Sequence, residues 1–162
     1  MKKFIAIPAL CTALIAPAFA GDKTGNVGAN VSLDSVLGIQ GEFNVYKQLS
    51  VQIFIKQYTK SYAYSNGQGN YNYDFTAIGA AAIYDFAKDF KISNNKIHPY
   101  AGLGLYNVNA NFRGPGATVA SPVNGGLYFT AGLRYEIAQR VDLDGNYNNF
   151  GGVTIGANWK FK

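Results

Sequence analysis

Histidine occurs once in the 162 residues, at His98. Nucleophilic hydrolysis or acyl transfer needs a nucleophile, a base and a group that orients the base. His98 opens a predicted strand beside Pro99, and no serine forms a His-x-Ser pair with it. The expected role is a strand-end surface histidine, and no catalytic residue is assigned. Asp142 and Asp144 stand two apart, on one face of an extended segment. That spacing lets carboxylate oxygens hold a hard cation. The competing use is pairing with Arg134, Lys56 or Lys160, and the expectation is ion pairs with no metal. Gly102 and Gly104 form no phosphate loop, because no GxGxxG run follows a strand and opens a helix. Their expected role is to relieve crowding, and no cofactor is expected.

What remains is a set of charges of both signs: Glu42, Lys56, Asp74, Arg134, Glu136, Asp142, Asp144 and Lys160. The segments that carry them alternate. Leu127, Phe129, Ala131, Leu133 and Tyr135 interleave with Tyr128, Thr130, Gly132, Arg134 and Glu136. Val141, Leu143, Gly145 and Tyr147 interleave with Asp142, Asp144, Asn146 and Asn148, and Val153 to Phe161 repeats the pattern. Near the start, Val27 to Leu33 and Leu37 to Val45 do the same. A period of two over such lengths predicts strands with one apolar and one polar face.

Turn residues divide the chain into eight predicted strands, at 25–33, 37–45, 49–62, 70–86, 98–112, 125–137, 141–148 and 152–161. In the middle strands the phase blurs near Gln57–Tyr58, Ile78–Ile83 and Ala101–Leu105, where β-bulges are expected. Tyr46–Gln48 and Ala138–Arg140 read as tight turns. Ser65–Gly69 and Arg113–Asn124, with its Gly-Pro-Gly, read as longer loops. The connection at Ala87–Ile97 is long for the side that carries the tight turns.

The first residues are set apart. Met1-Lys2-Lys3, an apolar run from Phe4 to Pro17, and Ala18-Phe19-Ala20 before Gly21 form the tripartite pattern of a secretory signal. Residues 1–20 are expected to be removed by cleavage between Ala20 and Gly21, with Ala18 and Ala20 as the small residues read by the peptidase. Residues 21–162 then form one domain. The single cysteine, Cys11, and single methionine, Met1, leave with the signal, so no internal disulfide is open to the exported chain. With Lys2 and Lys3 gone the net charge falls to about +3, without a basic cluster, which argues against nucleic acid as a partner. No later apolar run reaches the ~18 residues of a membrane helix.

Alternation does not say which face points inward. The mixed charges suit the filled interior of an eight-stranded barrel. The aromatics divide into two groups near opposite strand ends, as membrane girdles do. Tyr84, Phe86, Tyr100, Tyr135, Trp159 and Phe161 form one group. Tyr58, Tyr62, Tyr71, Tyr73, Phe75, Tyr106, Phe112, Phe129 and Tyr147 form the other.

The closing segment from Thr154 through Gly156 to Trp159 and Phe161 resembles the C-terminal signal of outer-membrane proteins, although Lys162 follows the final aromatic. With Ala81–Phe86, Pro99–Gly104 and Ala131–Tyr135, the chain resembles the small outer-membrane β-barrels of the OmpA, OmpX and opacity-like type. The resemblance implies an all-β, eight-stranded antiparallel up-and-down transmembrane β-barrel in the cell outer membrane. It also implies that the barrel-assembly machinery reads the closing strand. Outer-membrane lipid and lipopolysaccharide are then the surroundings, and a monomer is expected. Some small barrels of this kind cleave or transfer lipid acyl chains, but the single histidine points to a non-enzymatic structural or surface-interaction barrel. An unknown surface ligand would be bound by outer loops, Arg113–Asn124 foremost. A narrow pore and a periplasmic lipocalin-like binding barrel are the alternatives.

Overall fold

The computed structural model describes residues 24–63, 70–114 and 117–161; the side chains of 62, 63, 70, 71, 113, 114 and 117–124 are outside the description. Eight strands follow in order: β1 (Gly25–Ser32), β2 (Leu37–Tyr46), β3 (Leu49–Ala63), β4 (Asn70–Asp85), β5 (Ile97–Gly114), β6 (Ala117–Ala138), β7 (Val141–Asn148) and β8 (Gly152–Phe161). Each pairs antiparallel with its neighbour, and β1 pairs with β8 from Gly25 opposite Phe161 to Ser32 opposite Thr154. The sheet is thereby a closed up-and-down barrel with no free edge along its wall.

The pleat sorts the side chains. Asp142, Asp144, Asn146 and Asn148 of β7 are buried, while Leu143 and Tyr147 between them are 46% and 53% exposed. Leu127, Leu133, Ile155 and Trp159 likewise stand on the outside. The barrel is apolar outside and polar within, the reverse of a lipocalin-like barrel. A hydrocarbon surrounding satisfies that arrangement, and water does not.

Both chain ends lie at one end of the barrel, here the terminal end, with the turns after β2, β4 and β6. Strand lengths are unequal. β1, β2, β7 and β8 have 8 to 10 residues, about one membrane crossing. β3 to β6 have 15 to 22 and rise past their short neighbours at the far end.

Two expectations need correction here. The run Arg113–Asn124 is not a loop: Ala117–Val123 pairs with Val108–Gly114, so the hairpin continues almost to its tip. Gly114 ends β5 and Ala117 opens β6, and the β-branched Thr118, Val119 and Val123 favour extension. The expected bulges are absent too. β3 pairs with β4, and β4 with β5, in one unbroken register across Gln57–Tyr58, Ile78–Ile83 and Ala101–Leu105. Small inward residues make bulges unnecessary there. A Cβ on Gly79 would enter the Phe54 ring, and one on Gly104 would overlap the Ala80–Ala81 backbone. The register shifts that do occur lie at Asn44/Tyr46, Tyr106/Val108 and Glu136/Ala138.

Leu133 pairs with Gly145 in the middle of short strand β7 and points outward. Leu133→Arg should therefore cost about 2–4 kcal/mol in lipid vesicles, and Leu33→Arg, in a far-end turn, about 0–1 kcal/mol. Equilibrium urea unfolding of both variants checks the difference.

Candidate functional site

The interior is organised around two carboxylates. Glu42 of β2 receives Arg134 of β6 through both oxygens, Nη1 to Oε1 at 2.9 Å and Nη2 to Oε2 at 2.5 Å. The hydroxyl of Ser50 donates to the same Oε1. A bidentate guanidinium pair is the form in which a buried ion pair best recovers its desolvation cost. Asp144 of β7 accepts from Tyr100 Oη at 2.8 Å and from Gln40 Nε2 at 3.3 Å, with Arg134 Nε at 3.8 Å. Gln40 bridges further, donating to Asn158 Oδ1 and accepting from Asn30 Nδ2 at 2.9 Å. Asn148 continues the chain towards the far end, donating to Asn146 Oδ1 and Thr154 Oγ1 and accepting from the Gly151 amide.

This polar half lines β1, β2, β7 and β8. The facing half, on β3 to β6, carries the apolar cluster: Phe54, Ala81, Ile83, Tyr100 and Tyr128 are buried together beside Ser50, Gln52 and Thr130, with the Phe54 and Tyr128 centroids 4.2 Å apart. Two cations sit on the seam. Arg134 lies 4.3 Å above the Tyr100 ring while paired with Glu42. Lys56 lies 5.0 Å from the Tyr128 centroid and donates to the Tyr128 hydroxyl at 3.2 Å. Cation–π attraction strengthens as such groups are desolvated. The interior is therefore occupied by side chains.

The predicted charges fall in different places. Glu42, Lys56, Arg134, Asp142 and Asp144 are buried in the barrel. Glu136 and Lys160 stand at its terminal mouth, where Lys160 Nζ is 2.6 Å from Glu136 and 2.9 Å from Asp142. Asp142 and Asp144 thus serve different cations, and among the described residues no three His, Cys, Asp or Glu converge. Asp74 is a correction. It too is buried, but by register it lies on the outward side of β4, opposite Thr59, whose hydroxyl donates to it at 2.8 Å. The small residues from Ala77 to Ala82 hid the phase of that strand. The neutral members Asn30, Gln40, Asn146, Asn148 and Asn158 were not singled out. Their signal was their position on the alternating polar face.

Of the closing strand, Thr154 and Gly156 point inward, whereas Trp159 and Phe161 point outward, with Phe161 against Phe43 at 6.0 Å. Ala18, Ala20 and Gly21 lie outside the described residues. His98 Nδ1 is 2.9 Å from Asp85, and Nε2 is 3.0 Å from the Asn95 carbonyl. Both ring nitrogens lie against oxygen atoms of the fold, Asp85 on one side and Asn95 on the other.

The aromatic groups also divide differently. Tyr84, Tyr135, Trp159, Phe129 and Tyr147 face outward. Tyr100 is instead an interior donor. Tyr58, Tyr73, Phe75, Tyr106 and Phe112 share the inward side of the rising β3–β6 sheet. Tyr58 stacks on Phe75 at 4.6 Å, Tyr73 meets Phe112 at 5.1 Å, and Phe150 meets Tyr58 and Tyr106 at 5.9 and 5.6 Å. Tyr62 and Tyr71 lie outside the described side chains. The result is an aromatic wall above the far mouth, with Phe150 at its foot. At the opposite mouth, the connection from Phe86 to Lys96 folds across the barrel and is tied to it by Gln48, which donates to Asp89 at 3.0 Å.

The family model described as Opacity family porin protein matches residues 26–160. No curated protein matches the chain. Among solved structures, Neisserial surface protein A is similar with a TM-score of 0.61 and 23% identity, covering 86% of this chain and 94% of that one. The N-terminal β-barrel domain of Pseudomonas aeruginosa OprF gives 0.54 and 16%, covering 86% and 96%. Ail, the attachment invasion locus protein of Yersinia pestis, in complex with the heparin analogue sucrose octasulfate, gives 0.51 and 15%, covering 86% and 96%. At these identities the structures speak for the shared fold.

Arg134 is the cation on which Glu42 and Asp144 converge. Arg134→Ala should destabilise the barrel by about 3–5 kcal/mol, because it leaves buried charge uncompensated. Part of that loss should return in the Glu42→Ala/Arg134→Ala double variant. Urea unfolding of the single and double variants in vesicles measures the coupling; an Arg134→Ala barrel as stable as the parent contradicts it.

Proposed function

This chain belongs to the Opacity family of porin proteins, and from that premise we propose that it acts as a non-enzymatic surface-interaction barrel with a filled interior. Its place is the cell outer membrane, where the apolar exterior meets lipid. In the proposed orientation the terminal end faces the periplasm and the β3–β6 sheet rises outside the cell, at the level of the lipopolysaccharide sugars. The observation that carries the reading is the contrast between the two ends of the hollow. The interior is closed by ion pairs and rings, while the sheet above it holds Tyr58, Tyr73, Phe75 and Phe112 on one concave side. Aromatic rings with polar tips are effective contact surfaces for a partner. Ail, the attachment invasion locus protein solved with a heparin analogue, supports a role of this class for a barrel of similar fold.

The same reading assigns the ends of the chain. Residues 1–20 are the signal, cut after Ala20, and the closing strand with Thr154, Gly156, Trp159 and Phe161 is what the barrel-assembly machinery engages. The protein works as a monomer, since closure leaves no strand edge to share. Catalysis is set aside because His98 is held between Asp85 and Asn95 with no nucleophile on it. One observation favours a second reading: the matched family is described as porin. A narrow pore would need a water path past Arg134, Tyr100 and Phe54.

Expressed with its signal in a Gram-negative host, the chain should reach the outer-membrane fraction without residues 1–20. It should also migrate differently on a gel when unboiled. In planar bilayers the purified barrel should give no steady conductance. Sizeable, steady single-channel steps would reject the filled interior and select the pore.

A further inference from the structure

At the terminal end, a cavity of about 480 Å³ lies between the barrel mouth and the Phe86–Lys96 connection. We propose that it is a binding site for a small soluble oxyanion, a carboxylate or phosphate group presented from the side of the membrane that this end faces. The proposal uses the orientation given above only to name the periplasm as the source.

The charges around the cavity are unevenly paired. Its inner wall holds three carboxylates, and each is already engaged: Glu42 by Arg134, Asp85 by His98 and Asp142 by Lys160. Its rim holds Lys47, Lys88 and Lys91. Among the described residues, none of these three lies within 4.0 Å of a carboxylate; the Lys47 ammonium rests 4.9 Å from the Tyr46 ring centroid. An oxyanion entering the mouth meets three ammonium groups outside ion pairs, from two separate connections, while the nearby Asp89 is held by Gln48; the half-enclosed space screens them less than open water.

Two backbone features hold the lysines there. Lys47 and Lys91 have φ of 48° and 51°, in the left-handed region where glycine or asparagine is the ordinary choice. Lys47 occupies such a position in a tight hairpin, where Asn or Gly would relieve the backbone. The β4–β5 connection is also far longer than antiparallel strands require, for β2–β3 and β6–β7 close over Lys47–Gln48 and Gln139–Arg140. Its extra length is folded on itself, Phe90 N to Phe86 O at 3.0 Å and Ile92 N to Ala87 O at 3.0 Å, which brings Lys88 and Lys91 to the mouth. Ile92 and the Ile83 side chain supply apolar walls beside the charges. Small anions carrying a short apolar part fit that lining best.

The test uses the refolded full-length barrel in zwitterionic detergent, titrated calorimetrically at low salt with inorganic phosphate and, separately, with an N-acetylated dialanine bearing a free carboxylate. The expected result is saturable binding of at least one probe at one site per barrel. Affinity should fall tenfold or more in Lys88→Ala/Lys91→Ala and stay unchanged in Lys60→Ala, a far-end control. Preference for one probe assigns the source as phosphate or carboxylate. Lys47→Gly, which relieves the backbone and removes the charge, should weaken binding while the unboiled gel mobility stays that of the parent. No saturable binding of either probe, or equal binding by the parent and the double lysine variant, overturns the proposal.

Discussion

In hydrocarbon a backbone amide or carbonyl without a partner costs several kcal/mol, and there is no water to supply one. The pairing of β1 with β8 answers that constraint. Eight opposed residue pairs, from Gly25/Phe161 to Ser32/Thr154, turn a twisted sheet with two edges into a wall with none. Everything else in the molecule follows from the closed wall. Closure forces alternate side chains into a narrow hollow, and lipid takes the rest. A small barrel then has to fill its own interior.

Polar residues fill much of that interior although apolar ones would be easier to bury. Strands apolar on both faces would approach the ~18-residue runs that read as membrane helices before the chain reached its destination. Polar residues at every second position prevent this, and the folded barrel then has to satisfy them inside. Glu42–Arg134 and the Tyr100–Asp144–Gln40–Asn158 chain do so across strands remote in sequence. The apolar cluster of Phe54, Tyr128 and Ile83 fills the opposite half, where Gly79 and Gly104 leave room for rings. Arg134 and Lys56 join the halves because each is a hydrogen-bond donor at its tip and a partner for an aromatic face.

Much of this was legible in the residues. Period-two alternation located β7 and β8 at the residues observed, and the other strands other than β6 to within two residues at either end. The phase of β4 is not legible, because Ala77 to Ala82 suits either face; Asp74 is buried, but on the outward side of its strand beside Thr59. The start of β6 is not legible, because Gly114-Pro115-Gly116 is a turn signal whatever the length of the turn. By type and strand-end position Tyr100 and Tyr58 fit a membrane girdle. Parity against Gly79, Ala81 and Ile83 shows that both point inward. The neutral amides of the interior carry no charge to draw notice, yet they join β1, β2, β7 and β8 by repeated cross-strand bonds. The rim of lysines around the terminal cavity escaped notice because Lys47, Lys88 and Lys91 come together only when the long connection folds over the mouth.

The central claim is the direction of the two faces, and Trp159 reports on it directly. It is the single tryptophan of the chain, 52% exposed on the outside of β8 near the terminal end. Its fluorescence in vesicles containing lipids brominated at different depths measures contact with lipid. The account predicts strong quenching, greatest for bromines close to the headgroups, where an indole settles with its N–H towards water. Emission unaffected by bromine at any depth would place the ring inside the barrel and contradict the assignment of faces on which the whole structure rests.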